Sequence, residues 1–280
     1  MLIMKTLKIA LLLVLGFSIL SCKNDNKQSK HTAHVFTQDY TYQTVVSELS
    51  IPWGFTILPD NSMLITEKKG ELIHFKDDII TKISGLPEIT VLGQGGLLDI
   101  ELHPNYEENG WIYISYASSS GNGKGANTAI MRFKIENNTL VNKEVIYKAT
   151  PNSKRGQHFG SRLTFDNEGY LYFSIGDRGN RDENPQDITK DCGKIYRLLD
   201  NGSIPNNNPF IENLEAKKAI YSFGHRNPQG MALHPETGKI WIHEHGPRGG
   251  DEINIIGSGN NYGWPLASYG INYSLSLIHI

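Results

Sequence analysis

Two cysteines are all that 280 residues contain, Cys22 and Cys192. With Cys22 assigned to an amino-terminal lipid anchor, no intrachain disulfide can form even in an oxidising compartment. Cys192 then reads as a buried structural thiol. Excess charge of either sign is also lacking: the formal net charge is −2, and no polybasic tract occurs. Such a balance leaves no electrostatic footprint for nucleic acid or for an anionic membrane surface. Beyond residue 40 no apolar pattern of helical period reaches ordinary helix length. The patterns G-x-x-x-x-G-K-[ST], G-x-G-x-x-G after a strand and G-x-S-x-G are missing as well, so nucleotide cofactors and serine-hydrolase chemistry find no support.

What is present begins with an address. Lys5 and Lys8 precede an apolar stretch, Ile9–Leu20. That stretch is shorter than the roughly 20 residues a membrane span needs, and it suits a signal-peptide core. It ends in Ile19-Leu20-Ser21-Cys22, which resembles a bacterial lipobox with cleavage before Cys22 and lipidation of its thiol. Residues 1–21 are therefore expected to be a lipoprotein signal peptide, and residues 22–37 the lipidated cysteine with a polar, flexible tether. This places the protein in the bacterial cell envelope, touching membrane through its anchor alone.

The body of the chain repeats itself. An apolar pair, a turn of Asp, Asn, Pro or Gly, and a strongly β-forming run recur at Phe55–Glu67, Ile100–Ser115, Leu163–Ser174 and Met231–Glu244. The turn markers Ser62, Gly110, Gly169 and Gly238 are spaced by roughly 50–70 residues, as in propeller blades carrying loop insertions. Runs such as Tyr170-Leu171-Tyr172-Phe173 are apolar on both faces, as strands between stacked sheets must be. These features predict an all-β, six-bladed β-propeller of which this chain, over 38–273, holds about four blades. The run Ser274–Ile280 fits no repeat and is expected to be a non-native tail. An open ring leaves faces and edges uncovered, so this 280-residue form is expected to be unstable or inactive.

Aligning the repeats on Leu58, Leu102, Phe165 and Leu233 places Gln94, His158 and Arg226 at equivalent positions just ahead of their repeats. Equivalent positions share a face of a ring, so the three are expected to converge. His158 sits in Gly156-Gln157-His158-Phe159-Gly160, and a neutral imidazole is the natural base for a hydroxyl proton. The bland reading is one more structural histidine among ten. Arg226, beside Asn227 in Gly224-His225-Arg226-Asn227-Pro228, can bind carboxylates or stabilise an oxyanion, against a bland reading as a solvated turn arginine. The turn Glu244-His245-Gly246-Pro247 presents backbone carbonyls with Asp251 and Glu252 nearby, a set suited to calcium. Zinc held by His243 and His245 is the weaker rival, since no third ligand follows at telling spacing.

Six ordered motifs now carry a resemblance: Gly93-Gln94-Gly95-Gly96-Leu97-Leu98, Gly156–Leu163, Ser174–Gly179, Gly224–Gly230, Glu244–Glu252 and Asn261-Tyr262-Gly263-Trp264-Pro265. Together they resemble the soluble dehydrogenases of sugars that depend on pyrroloquinoline quinone (PQQ), including soluble glucose and aldose sugar dehydrogenases. The resemblance implies a six-bladed propeller carrying PQQ and Ca2+ at one face. It implies that His158 removes the anomeric hydroxyl proton, that Gln94 lines the same pocket and that Arg226 and Asn227 contact the quinone. It also implies that the carbonyls of Gly246 and Pro247 hold the catalytic calcium, and that Glu252 and the Tyr262 carbonyl serve a second, structural calcium.

The expected reaction is oxidation of an aldose at C1 to the aldonolactone, with electrons passing to an external acceptor. No protein side chain accepts a hydride, so a cofactor is obligatory. Gln157, where the glucose-specific branch carries a carboxylate, favours the broader aldose branch. The sequence is compatible with a homodimer and gives no sign of a nucleic-acid partner. Two other readings of a propeller are a calcium-dependent lactonase-like hydrolase and a non-catalytic sugar- or protein-binding lipoprotein.

Overall fold

The computed structural model describes residues 40–274. The signal peptide, Cys22, the tether and nearly all of the expected tail lie outside the described residues. From Val45 onward the chain forms one compact unit. Its first sheet contains β1 (Pro52–Ile57), β2 (Met63–Glu67), β3 (Glu71–Lys76) and β4 (Ile79–Ile83). The second contains β5 (Leu97–Leu102), β6 (Ile112–Ser118), β7 (Asn127–Glu136) and β8 (Thr139–Lys148), with the single-turn helix α1 (Tyr106–Asn109) between β5 and β6. The third contains β9 (Leu163–Phe165), β10 (Leu171–Ile175), β11 (Lys194–Leu198) and β12 (Ile220–Phe223). The fourth contains β13 (Pro228–Leu233), β14 (Ile240–Glu244) and β15 (Glu252–Ile255). Every sheet is an antiparallel meander with strands in sequence order, so each is one propeller blade. The four repeats of the sequence are the first hairpins of these four blades.

Alternation along each strand explains why both faces are apolar. In β6, Ile112 and Ile114 pack with Leu64, Leu72 and Ile83 of the first blade. Tyr113, between them, turns to Leu163, Phe165 and Phe173 of the third. In β10 the same division recurs: Leu171 and Phe173 face the second blade, while Tyr172 joins Ile240 and Ile242 of the fourth. β6 and β10 thus each belong to two cores, and polar residues on either face would be buried. Phe55 and Ile57 in β1, and Ile253 and Ile255 in β15, remain exposed on the first and last blades.

A hydroxyl in the second strand staples each blade to the next. Thr66 Oγ1 accepts from Gly54 N in its own blade and donates to Leu98 O in the second. Ser115 Oγ accepts from Asp99 N and donates to Ser161 O at 2.6 Å. Ser174 Oγ accepts from Arg162 N and donates to Pro228 O at 2.8 Å. These bonds satisfy backbone groups where the inner strands converge, and so fix the angular position of each blade. Among the described residues no helix is long and apolar enough to cross a membrane.

Candidate active site

Three loops that enter inner strands meet at one end of the propeller. Gln94 Oε1 accepts from the backbone N of His158 at 2.7 Å, and Gln94 N donates to Gly156 O. A Cβ on Gly93, whose φ is 60°, would meet Gly156 O at 2.3 Å, so glycine lets the two loops cross. The third loop arrives beside Gly176, where a Cβ would meet His158 O at 2.4 Å and Arg226 O at 3.0 Å. His158 and Arg226 then line a common cleft of about 160 Å³ with Gln157, Asp177, Arg181 and Trp264. The structure therefore brings Gln94, His158 and Arg226 together, with Gln94 acting on the backbone of His158 from behind rather than lining the cleft.

His158 adopts a left-handed φ of 56°, a sparsely populated conformation for a side chain of this size. Its Nδ1 lies 2.6 Å from Oδ1 of Asp177, which is almost fully buried. Asp177 also accepts from Gly179 N at 2.6 Å and from Trp264 Nε1 at 2.8 Å. An ionised carboxylate can only accept, so opposite it Nδ1 carries the hydrogen and Nε2 of the neutral imidazole is left with a lone pair. Nε2 has no hydrogen-bond partner among the described residues, and the side chain is 15 % exposed, enough for a substrate to reach it. This is the arrangement of a general base and its orienting acid.

Across the cleft, Arg226 and Arg181 both lie over Trp264, with guanidinium carbons 5.4 and 4.7 Å from its ring centroid. Arg226 Nη1 donates to His245 O at 2.9 Å, and its backbone N donates to Glu244 Oε2 at 2.7 Å. The Nε of Arg226 is buried without a hydrogen-bond partner, whereas that of Arg181 lies 3.4 Å from Asp182 Oδ1. Asn227 is buried outside the cleft lining, and its Oδ1 accepts from Gly160 N at 3.1 Å, bracing the His158 loop. His225, by contrast with His158, is a structural histidine held between Glu244 and Ser222 and stacked on Tyr262.

The carbonyl groups of the Gly246-Pro247 turn are less free than the sequence suggests. Pro247 O accepts from Ile271 N at 3.0 Å, because the chain returns through Gly270 directly beneath the turn. Glu252 and Tyr262 line a separate depression of about 500 Å³. Burial, then the nearby Glu244 carboxylate, raises the Glu252 pKa, against the lowering effect of Asn254. Among the described residues no three His, Cys, Asp or Glu side chains gather as a metal cluster, and His243 and His245 are both exposed. Cys192 is buried and free, as a structural thiol should be.

Sequence reasoning assigned no role to Asp177, Glu244, Trp264 or Arg181. A signal for two of them was present: Glu67, Asp177 and Glu244 all end or follow a second strand. Each accepts a hydrogen bond from the residue entering its own first strand, namely Ser50, His158 and Arg226. Trp264 and Arg181 come from loops with no counterpart in the repeat.

The chain compares closely with known proteins. It is 44 % identical over 237 residues to the aldose sugar dehydrogenase YliI of Escherichia coli K12, an alignment covering 83 % of this chain and 63 % of that protein. The apo crystal structure of the soluble aldose sugar dehydrogenase of Escherichia coli superposes with a TM-score of 0.78 at 42 % identity, covering 82 % of this chain and 67 % of that one. The PQQ-bound aldose sugar dehydrogenase of Streptomyces coelicolor matches with a TM-score of 0.71 at 29 % identity, covering 81 % and 66 %. The chain thus spans just under two thirds of the length of its curated Escherichia coli relative. A family model described as glucose/sorbosone dehydrogenase matches residues 49–279, so with its propeller blades the chain belongs to the glucose/sorbosone dehydrogenase family.

Proposed function

We propose that this protein oxidises aldose sugars at C1 to aldonolactones in a PQQ- and calcium-dependent reaction, passing electrons to an external acceptor. The observation that carries the reading is the His158–Asp177 pair facing two arginines across one cleft. Two guanidinium groups at one cleft, with the buried Nε of Arg226 lacking a hydrogen-bond partner, suit an anionic, oxygen-rich planar group, and a quinone bearing carboxylates is such a group. Arg226 and Arg181 would hold it, with Trp264 as a flat wall. For calcium the segment would offer the Gly246 carbonyl and the second lone pair of the Pro247 carbonyl. When bound, PQQ supplies the hydride acceptor that side chains lack, and calcium supplies a Lewis acid.

This chain's own residues do the rest. His158 Nε2 takes the proton of the sugar hydroxyl, and Asp177 stabilises the imidazolium that results. Gln94 fixes the backbone of His158. Arg226 holds positive charge where negative charge develops.

The test begins with binding. PQQ titrated into the protein with its full set of six blades is expected to quench tryptophan fluorescence saturably, and Arg226→Ala to weaken binding at least tenfold. Dye reduction by aldoses is expected to require PQQ, calcium and His158, and to vanish in His158→Ala and after EDTA. Absence of any saturable quinone binding overturns the reading. The envelope location is part of the proposal; Cys22→Ser is expected to shift the protein from the detergent phase to the aqueous phase, and no shift removes the lipid anchor from it.

A further inference from the structure

We propose that Arg178 is a positioning residue that holds the His158 loop in its working conformation, an inference that rests on the reading of His158 as the base. The side chain is 1 % exposed and belongs to the loop that supplies Asp177. Its guanidinium carbon lies 3.3 Å from the centroid of the Phe159 ring. Nη2 donates to Arg155 O at 2.8 Å and to Ala126 O at 3.3 Å, and Nη1 donates to Gln157 O. The fork thus grips the carbonyls at 155 and 157 and stacks on the ring at 159, so the residues around His158 are wrapped on one rigid plane. On its other side the Phe159 ring fills the space that a Cβ on Gly95 would take, at 2.4 Å.

This arrangement is costly as a purely structural device. A guanidinium out of water is expensive unless paired with a carboxylate, and Arg178 hydrogen-bonds to none. Its Nε has no partner at all. Burial lowers its pKa to about 10, with the Asp177 carboxylate offsetting part of the effect. An apolar side chain could fill the same volume more cheaply. What it could not do is restrain three carbonyls in fixed directions around a histidine at φ 56°. Lysine, a point charge on a flexible stem, lacks the planar fork as well.

The experiment uses proton NMR of the cofactor-free chain with labelled histidine. In the wild type the Nδ1–H of His158, donated to Asp177, is expected to give a far-downfield resonance that disappears in His158→Ala. Arg178→Met and Arg178→Lys are expected to lose that resonance while keeping the far-ultraviolet circular dichroism of the propeller. In the quinone-loaded protein kcat is expected to fall about 10–100-fold with KM little changed, since a misplaced base costs rate rather than sugar binding. A folded Arg178→Lys that keeps the resonance and retains kcat within threefold overturns the proposal. So does failure of both variants to fold, which makes the guanidinium a determinant of the fold. The resonance is read without quinone, so a lost signal in a protein that binds no PQQ sinks the proposed activity and leaves the positioning role standing.

Discussion

Asp177→Asn changes one atom at the centre of the site, and the local geometry dictates its effect on rate. The carboxylate accepts three hydrogen bonds: from His158 Nδ1 and Gly179 N on Oδ1, and from Trp264 Nε1 on Oδ2. An amide has one oxygen, so one side must present NH2 to a donor. If the oxygen stays toward His158, Trp264 Nε1 loses its acceptor, and the imidazole keeps the correct tautomer with a neutral partner. Exchanging a charge-assisted hydrogen bond of about 1.5–3 kcal/mol for a neutral one of about 0.5–1.5 kcal/mol removes about 1–1.5 kcal/mol of imidazolium stabilisation. That is roughly a 5–13-fold loss of rate. If the amide turns the other way, Nδ1 must accept, Nε2 carries the hydrogen, and the base is lost, worth about 10²–10⁴-fold. Either way kcat falls at least fivefold in PQQ-reconstituted dye reduction while quinone binding, read by tryptophan quenching, survives. A variant within twofold of wild type refutes the assignment of Asp177 as the orienting acid.

Two further outcomes come from the fold. Ser115→Ala strands the buried Asp99 N–H and Ser161 C=O, each costing about 1–3 kcal/mol, so unfolding stability should drop by about 2–6 kcal/mol. At about 2–4 °C per kcal/mol, a melting temperature lowered by less than about 2 °C would show that the staples do not hold the blades. Glu101 has its pKa pushed up to about 8, first by burial and then by the Asp99 charge, with Arg162 opposing. The folded state therefore holds this proton more tightly than the unfolded chain, and the stability Glu101 contributes is lost as pH rises from about 4.5 through about 8. Urea midpoints across that range should decline in the wild type and decline less in Glu101→Gln; equal slopes would contradict it.

Much of this molecule was legible in one dimension. Turn residues at Ser62, Gly110, Gly169 and Gly238 each start a second strand, because tight reversals need those residues locally and apolar runs on both sides need a stacked sheet. Gln94, His158 and Arg226 could be brought together from the repeat alone because equivalent positions in a ring share an end. The pairing of His158 with Asp177 was signalled only by the acidic residues that end or follow the second strands, and the clamp of Arg178 not at all, since its hydrogen bonds run across loops that differ in length between blades. The freedom of the Pro247 carbonyl was misjudged for the same reason: its donor, Ile271, arrives from a later segment. Trp264 stands under both arginines only because the chain folds back over 261–265. Periodicity, a local property, determined the blades and which loops meet; partners, protonation and which backbone oxygens stay free were decided by tertiary packing, where residues distant in sequence become each other's solvent.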